Sequence, residues 1–313
     1  MVQTQEVLSR QQQGKNGQEL EHLSDLIDEV NVIKGKSAQE IQFDQESQFD
    51  AAKDKDGFRQ YEAACDRVKN FYAEQHAKQT LAYNLEARAR FNATVRARMS
   101  VWEAIEKLNT LIDESDPDTE VSQIEHLLQT AEAIRRDGKP EWMQVTGLIH
   151  DLGKLLYFYG VEGEGQWSTV GDTFIVGAAF SDKNIYPETF KANPDYNDPK
   201  LNTELGIYEH GCGLDNVMIS WGHDEYLYHV MKHQSSLPKE ALSMIRYHSF
   251  YPWHRGGAYT QFMNEDDYEQ LKAVKAFNPY DLYSKSDEPP KVEDLKPYYQ
   301  GLIAKFFNPV IEW

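Results

Sequence analysis

Hydrophobic positions recur at helical spacing through the part of the chain that follows residue 57. Residues 62–110 contain no Pro or Gly and are rich in Ala, Arg, Glu, Gln and Leu. This composition predicts one or two long helices, because these residue types favour helix and nothing in the range breaks one. Two buried stripes are predicted on these helices, formed by Val68, Phe71 and Tyr72 and by Val95, Met99, Trp102 and Ile105.

Clusters of turn residues divide the rest of the pattern. The acidic, Pro-containing stretch 113–118 ends the first helical region, and a second helix is predicted over Val121–Asp137. A third helix is predicted over Glu141–Phe158, followed by a loop-rich insertion, 160–208, that contains short strand-like runs such as 173–176. One all-α domain is the simplest interpretation. Its later helices are predicted over His223–His233, Lys239–His248, Asp266–Asn278 and Lys296–Phe307.

The N-terminal residues 1–50 differ from the rest because they are rich in Gln, Glu, Asp and Ser. We predict a mostly mobile tail over 1–50 and a single domain over 51–313. A weak apolar cluster between Leu20 and Val30 has the spacing of a short amphipathic helix. The alternative interpretation is that this segment docks on a partner or on the main domain.

The charge balance limits the classes of partner. The net charge is -19, with 51 acidic and 32 basic residues, so nucleic acid and anionic membranes are not expected to bind. No apolar run approaches the roughly 20 residues that a membrane helix needs, and the N-terminus has no signal-peptide pattern. Cys65 and Cys212 are the two cysteines, which cannot form a disulfide framework. A cytoplasmic location is therefore expected.

An adjacent pair, His150-Asp151, lies inside an apolar run and is the strongest candidate for chemistry. Both side chains can reach one metal ion, and the second oxygen of Asp151 can bridge to another. For an isolated pair the more common interpretation is a buried His beside a helix-capping Asp. Here four imidazoles and two carboxylates in total suit two borderline transition metals such as iron, manganese or zinc. The other four candidates are His126, His223, His248 and Asp281.

The order His126, His150-Asp151, Asp281 is similar to the ligand order of HD-domain proteins. Six longer sequence words then occur in order, and together they closely resemble the myo-inositol oxygenase family. The resemblance extends from about Phe58 to Trp313. The words are His-Asp-Leu-Gly-Lys at 150–154, Val-Gly-Asp-Thr-Phe at 170–174, Ser-Trp-Gly-His-Asp-Glu-Tyr at 220–226, Arg-Tyr-His-Ser-Phe-Tyr-Pro-Trp-His at 246–254, Phe-Asn-Pro-Tyr-Asp-Leu-Tyr at 277–283 and Pro-Tyr-Tyr-Gln-Gly-Leu-Ile at 297–303.

The resemblance implies an HD-domain-like helical bundle with a di-iron centre, two irons per chain in a mixed-valent state. It implies an oxygenase that converts myo-inositol and O₂ to D-glucuronate and water by ring cleavage. Asp151 would bridge the two irons. One iron would be held by His126, His150, Asp151 and Asp281, and the other by Asp151, His223 and His248. Myo-inositol and O₂ are then the expected partners, and a monomer is expected.

The resemblance also implies an inositol-binding set, of which Lys154 is the main member. Lys154 would donate to a substrate oxygen and would act in catalysis together with Asp151. On a helix it would project to the same face as the His-Asp pair. The other implied substrate contacts are Arg59, Asp113, Glu114, Ser115, Gly171, Asp172, His248 and Ser249.

Two other classes of function remain open from the residues themselves. An HD-domain metal-dependent phosphohydrolase would use the same ligands, but its site would need several cations for phosphate. A non-enzymatic metal-containing scaffold would not need Lys154. His229 and His233 stand four residues apart and form a competing metal site on spacing alone, although a surface or supporting role is favoured. His254 is expected to support the site without binding metal.

Overall fold

Helices dominate the computed structural model, which describes residues 43–44, 47–62, 64–116, 121–161, 164–288 and 290–313. This confirms the predicted all-α class. The predicted Leu20–Val30 helix lies outside the described residues, and the division at residue 50 stays a prediction. The helices are α1 (Asp66–Lys78), α2 (Leu81–Ala93), α3 (Val101–Leu108), α4 (Gln123–Arg136), α5 (Glu141–Ile149), α6 (His223–Met231), α7 (Lys239–Tyr247), α8 (Tyr251–His254), α9 (Glu265–Tyr283) and α10 (Val292–Phe306).

Helix caps explain why 62–110 forms three helices instead of the one or two predicted. The Thr80 hydroxyl accepts a hydrogen bond from the Tyr83 N–H and begins α2. Ser100 begins α3 through a reciprocal capping box with Glu103. The first predicted stripe is buried as expected. The second is buried at Trp102 and Ile105 but is wrong at Val95, which lies between helices and is 45% exposed, and at Met99, which lies in a short strand and is half-buried.

The predicted helix Glu141–Phe158 is wrong beyond Ile149. Helix α5 ends there, and a 3₁₀ helix, Leu152–Tyr159, continues the chain, so His150 and Asp151 lie at the junction. Gly153 explains part of this geometry. A Cβ atom at Gly153 would lie 1.9 Å from the His223 carbonyl oxygen, so the absence of a side chain lets the two backbones touch.

The elements that carry the candidate ligands pack directly on one another. Helix α4 packs on α5, α7 on α9, and α6 on both α7 and the 3₁₀ helix after the His-Asp pair. The loop-rich segment predicted over 160–208 contains short 3₁₀ turns and one isolated bridge, between Ile175 and Ile219. Two short strands, β1 (Arg98–Met99) and β2 (Ile311–Glu312), pair antiparallel. Within the described residues, no helix combines the length and apolar character that membrane crossing requires.

Candidate metal centre

Asp151 lies between two groups of imidazoles and presents one oxygen to each. Its Oδ2 lies 3.6 Å from His150 Nε2 and 3.8 Å from His126 Nε2. Its Oδ1 lies 3.6 Å from His223 Nε2 and 3.5 Å from His248 Nε2. The two groups can each surround a metal ion, and Asp151 belongs to both. The residues that the sequence predicts as ligands are therefore brought together in two sets.

Asp281 completes the first group. Its Oδ1 lies 3.2 Å from His126 Nε2 and 3.2 Å from His150 Nε2. It is carried by α9, the long helix that begins with a capping box at Asn264. The first group thus contains two imidazoles and two carboxylates, all of them buried.

Backbone carbonyls fix the ring orientation of three of the histidines. Nδ1 of His150 lies 2.8 Å from the Gly147 carbonyl oxygen, Nδ1 of His223 lies 2.9 Å from that of Thr169, and Nδ1 of His248 lies 3.0 Å from that of Ile245. A carbonyl can only accept, so each Nδ1 carries the proton and each Nε2 lone pair faces the centre.

Two of these Nε2 atoms are buried without a hydrogen bond. His150 Nε2 and His248 Nε2 find no hydrogen-bond partner among the described residues. An unsatisfied buried acceptor is costly unless another group binds it. A metal ion would satisfy both atoms, and imidazole with carboxylate is a donor set that suits iron, manganese or zinc.

The charges of the centre favour ionised carboxylates. Burial alone would raise the pKa of Asp151, but the Lys154 ammonium and the neighbouring histidines outweigh it and hold that pKa well below its usual range. The same balance, with His150 and His126 as partners, lowers the pKa of Asp281. Burial opposes a charge on His248, yet Asp224 and Asp151 raise its pKa to about 9, so in the absence of metal its Nε2 is protonated at neutral pH and a metal ion would displace that proton. The ionised carboxylates make the centre attractive to cations.

Asp224 is a further carboxylate in the second group that the ligand prediction did not include. Its Oδ1 lies 2.8 Å from His223 Nε2 and 3.4 Å from His248 Nε2, and its Oδ2 accepts the Ser249 N–H at 3.1 Å. Asp224 Oδ1 is buried without a hydrogen bond among the described residues. The sequence signal was the second His-Asp dipeptide, His223-Asp224.

Lys154 lies at the boundary between the centre and an adjoining cavity, which we call the inner pocket. Its Nζ lies 2.8 Å from Asp151 Oδ2 and 2.8 Å from Asp113 Oδ2. Asp113 also accepts from the Ser115 hydroxyl at 2.6 Å. Burial opposes the ammonium charge, but Asp113 and Asp151 raise the pKa of Lys154 above its ordinary value. Lys154 therefore contacts a predicted metal ligand directly, as well as facing the inner pocket.

Arg59 and Asp172 form the opposite wall of the inner pocket. The Arg59 guanidinium donates two hydrogen bonds to the Asp172 carboxylate, at 3.2 and 2.5 Å, and lies 3.4 Å from the centroid of the Tyr251 ring. The Ser249 hydroxyl lies 3.1 Å from His223 Nε2. Of the predicted substrate contacts, those that line the inner pocket are Arg59, Asp113, Ser115, Lys154, Gly171, Asp172, His248 and Ser249.

One predicted contact is not brought into the inner pocket, and one cation there was missed. The Glu114 side chain is exposed, and only its backbone N–H is held, by Gln166 Oε1 at 2.9 Å. Lys285 lines the pocket and pairs with Asp116 at 2.6 Å. The Asp-Glu-Ser-Asp turn signalled Asp116, but nothing local in the sequence pairs it with Lys285, 169 positions away.

The remaining histidines do not form a third metal group among the described residues. His229 lies 3.7 Å from the Glu225 carboxylate, and His233 is exposed. His254 is buried, and its Nε2 lies 2.9 Å from the His248 carbonyl oxygen, so it contacts the backbone of a predicted ligand. These positions agree with the supporting roles expected for His229 and His254.

Comparison with known proteins yields one consistent result. The family model described as "Myo-inositol oxygenase" matches residues 65–313. An inositol oxygenase of Dictyostelium discoideum is 52% identical over 270 residues, covering 85% of this chain and 92% of the relative. Inositol oxygenases of Danio rerio and Rattus norvegicus are 47% and 45% identical, covering 83% and 84% of this chain and 95% and 93% of theirs.

Proposed function

The chain belongs to the myo-inositol oxygenase family, and we propose that it cleaves the inositol ring in the inner pocket, at two metal ions held on either side of Asp151. The family reaction consumes myo-inositol and O₂ and yields D-glucuronate and water. The observation behind this placement is that the two carboxylate oxygens of Asp151 face two separate groups of buried imidazoles.

The donor atoms suggest how the two ions would be shared. One would be held by His126, His150, Asp151 and Asp281, and the other by Asp151, His223 and His248, with Asp224 close to the second. We propose iron for both positions, in the mixed-valent state, because imidazole and carboxylate ligands accommodate ferrous and ferric ions alike. When bound, the metals would supply Lewis acidity toward the inositol hydroxyls and redox chemistry toward O₂.

The protein side chains would bind and orient the polyol. The inner pocket borders both metal groups, and we propose that substrate meets the metals at the second group, where His248 and the Ser249 hydroxyl line it. The Lys154 ammonium, between Asp113 and Asp151, would donate to a substrate oxygen and favour its deprotonated form. Asp113 and Asp172 offer acceptors, and a neutral polyol needs hydrogen-bond partners of both kinds. Burial of these groups limits water at the reacting carbon.

The charges of the inner pocket suit a neutral substrate better than a phosphate ester. Each cation that lines it is paired with a carboxylate: Arg59 with Asp172, Lys154 with Asp113, and Lys285 with Asp116. A phosphohydrolase needs cations that are free to bind phosphate oxygens. The phosphohydrolase alternative is therefore not favoured.

The exposed Cys65 and half-buried Cys212 are free thiols, and this supports a further proposal, that the protein is cytoplasmic. The monomeric state stays a prediction.

The test is reconstitution with Fe(II) in the absence of O₂, followed by addition of O₂ and myo-inositol. We expect about two irons per chain, O₂ uptake that depends on inositol, and D-glucuronate as product. Full activity with a single iron would contradict the dinuclear proposal. Hydrolysis of a phosphate ester without O₂ uptake would contradict the reaction itself.

A further inference from the structure

A second cavity, of about 410 Å³, adjoins the inner pocket, and we call it the outer cavity. Its boundary includes Lys55, Phe58, Lys183 and Arg255. The two cavities share part of their lining, so they lie against the same four residues. The shared residues are Arg59, Tyr61, Asp172 and Tyr251.

The outer cavity is basic, although the chain as a whole carries a net charge of -19. Its lining contains Lys55, Arg59, Lys183 and Arg255 but only one carboxylate, Asp172, which Arg59 already binds. Lys55 pairs with Asp50 at 2.6 Å. Lys183 and Arg255 are exposed, and within the described ranges no carboxylate lies within ion-pair distance of either. Arg255 donates one hydrogen bond to the neutral Tyr283 hydroxyl, at 3.4 Å, which leaves its charge without a described carboxylate partner. Lys183 and Arg255 are thus both available to an anion in solution.

A smaller cavity, of about 190 Å³, adjoins the inner pocket through Asp113 and Asp116 and has the opposite character. These two carboxylates are the charged groups of its described lining. Both are paired with cations of the inner pocket, Lys154 and Lys285, and no Lys or Arg is among the described residues that line this smaller cavity. Of the smaller cavity and the outer cavity, only the outer cavity has described Lys and Arg side chains without a carboxylate partner that an anion from the inner pocket could bind.

The reaction changes the charge of its organic reactant, because a neutral polyol becomes a sugar acid. Free cations at the pocket's exit would therefore act on the product and leave the substrate unaffected. We infer that the outer cavity is a binding site for the carboxylate of a small sugar acid, and that D-glucuronate leaves through it, held by Lys183 and Arg255. The inference rests on the proposed position of the inositol site in the inner pocket.

The one cation among the residues shared by the two cavities, Arg59, is not available to bind an anion. Arg59 is bonded to Asp172 through two of its nitrogens and lies over the Tyr251 ring, so its guanidinium is already occupied. Its backbone adopts a left-handed conformation with φ of 57°, which is uncommon for a residue other than glycine and which aims the side chain into the wall. The unpaired positive charge therefore begins beyond Arg59, at Lys183 and Arg255.

The test measures D-glucuronate binding to the iron-loaded full chain by calorimetry, without O₂ and with saturating myo-inositol. Saturating inositol occupies the metals, so binding that persists belongs to another site. We expect the parent protein to bind D-glucuronate with an affinity that falls as salt is raised. The double variant Lys183→Gln/Arg255→Gln should bind on the order of fivefold more weakly, as two solvent-exposed charge contacts allow.

Three comparisons make the result decisive. D-glucuronamide, which lacks the negative charge, should bind weakly and equally to both proteins. Lys200→Gln, an exposed lysine outside both cavities, should bind D-glucuronate as the parent does. The single variant Lys183→Glu repeats the test with one residue. Equal D-glucuronate binding by the parent and the double variant would overturn the inference, and so would binding of D-glucuronamide to the parent as tightly as D-glucuronate. Failure of the proposed inositol site is a separate result, because it is measured by inositol kinetics in Lys154 variants.

Discussion

Glu225 and Arg246 form a buried ion pair that joins α6 to α7. Glu225 lies two positions after His223, and Arg246 lies two positions before His248. Burial alone would raise the pKa of Glu225, but Arg246, His229 and Arg88 outweigh it and hold that pKa below its ordinary value of 4.5. The pair therefore sets the spacing of the two helices that carry the second group of histidines.

We predict that Glu225→Gln destabilises the protein by about 3–5 kcal/mol, because it removes the buried carboxylate that Arg246 and Arg88 share and leaves Arg246 paired with the exposed Asp215. The difference from the parent should be constant at neutral pH. It should shrink progressively as pH falls below about 4.5, because the carboxyl is then protonated in the unfolded chain and stays ionised in the folded one until its lower pKa is reached. Urea unfolding across pH measures this. Glu86→Gln, in an exposed pair with Arg90, should cost less than about 1 kcal/mol; equal costs would contradict the role of the buried pair.

Asp151→Asn should lose both metal ions, because the bridging carboxylate serves both groups and two nearby cations would lose their shared anion. Asp281→Asn is the matched variant. Asp281→Asn should weaken metal binding at the first position and leave metal binding at the second unchanged. The reason is that Asp281 lies within 4 Å of His126 and His150, which belong to the first group, and of no imidazole in the second. Metal analysis of the purified variants decides this. An Asp151→Asn protein with two tightly bound metals would contradict the bridge.

Asp224→Asn should weaken metal binding at the second position by roughly 10–100-fold, the usual effect of removing a carboxylate beside metal-binding histidines. The amide retains the size of the side chain and an oxygen that can accept the Ser249 N–H, so the fold should persist. Titration of the apoprotein with Fe(II) under anaerobic conditions measures each position. Equal weakening at both positions would show that Asp224 acts on the whole centre through its charge.

Lys154→Met should retain two metals and weaken inositol binding, since a charge-assisted hydrogen bond is worth about 1.5–3 kcal/mol. Turnover should fall as well if the ammonium stabilises a substrate alkoxide. Iron content and steady-state kinetics on the same sample separate the two roles of Lys154, at Asp151 and at the inner pocket. Lys191→Met, an exposed control, should behave as the parent. Unchanged kinetic constants in Lys154→Met would remove Lys154 from the inositol site.

Gly153→Ala should disrupt the centre, because its Cβ would lie 1.9 Å from the His223 carbonyl oxygen. Overpacking of this kind typically costs about 1–3 kcal/mol, and relief would require α6 to move away with His223. We expect a lower melting temperature and loss of metal from the second position. Gly301→Ala in α10 is the control, since nothing lies within 4 Å of its Cβ. Normal metal content in Gly153→Ala would show that the close approach is not needed.

The candidate ligands, which the structure brings together, could be selected from the sequence because their signals are local. The motifs at His150-Asp151 and around Asp281 can each be recognised from a few neighbouring residues. The helices α4, α6, α7 and α9 begin within two residues of the predicted positions. The end of α9 at Tyr283, five residues beyond the predicted Asn278, was missed because Pro279 lies inside the helix. A proline in a helix is normally a boundary signal.

Contacts between distant segments could not be predicted in the same way. Lys285 with Asp116, and Glu225 with Arg246, pair residues whose separation in sequence carries no period or motif. The helix breaks before Thr80 and Ser100 were missed for a different reason. Thr80 contributes one cap hydrogen bond and Ser100 a two-bond capping box, in a composition that otherwise favours continuous helix. Tertiary packing then decides whether the helix breaks there.

The six predicted ligands come from five places in the fold: helices α4, α6 and α9, the junction after α5, which carries two of them, and the end of α7. Two metals bound there would tie five elements of the fold together in the manner of a crosslink. A ligand that binds only the folded state raises stability with its free concentration, so the folded fraction should rise with available iron and fall with chelation. The amount of this protein that survives in a cell should therefore report the cell's iron supply, even when inositol is absent.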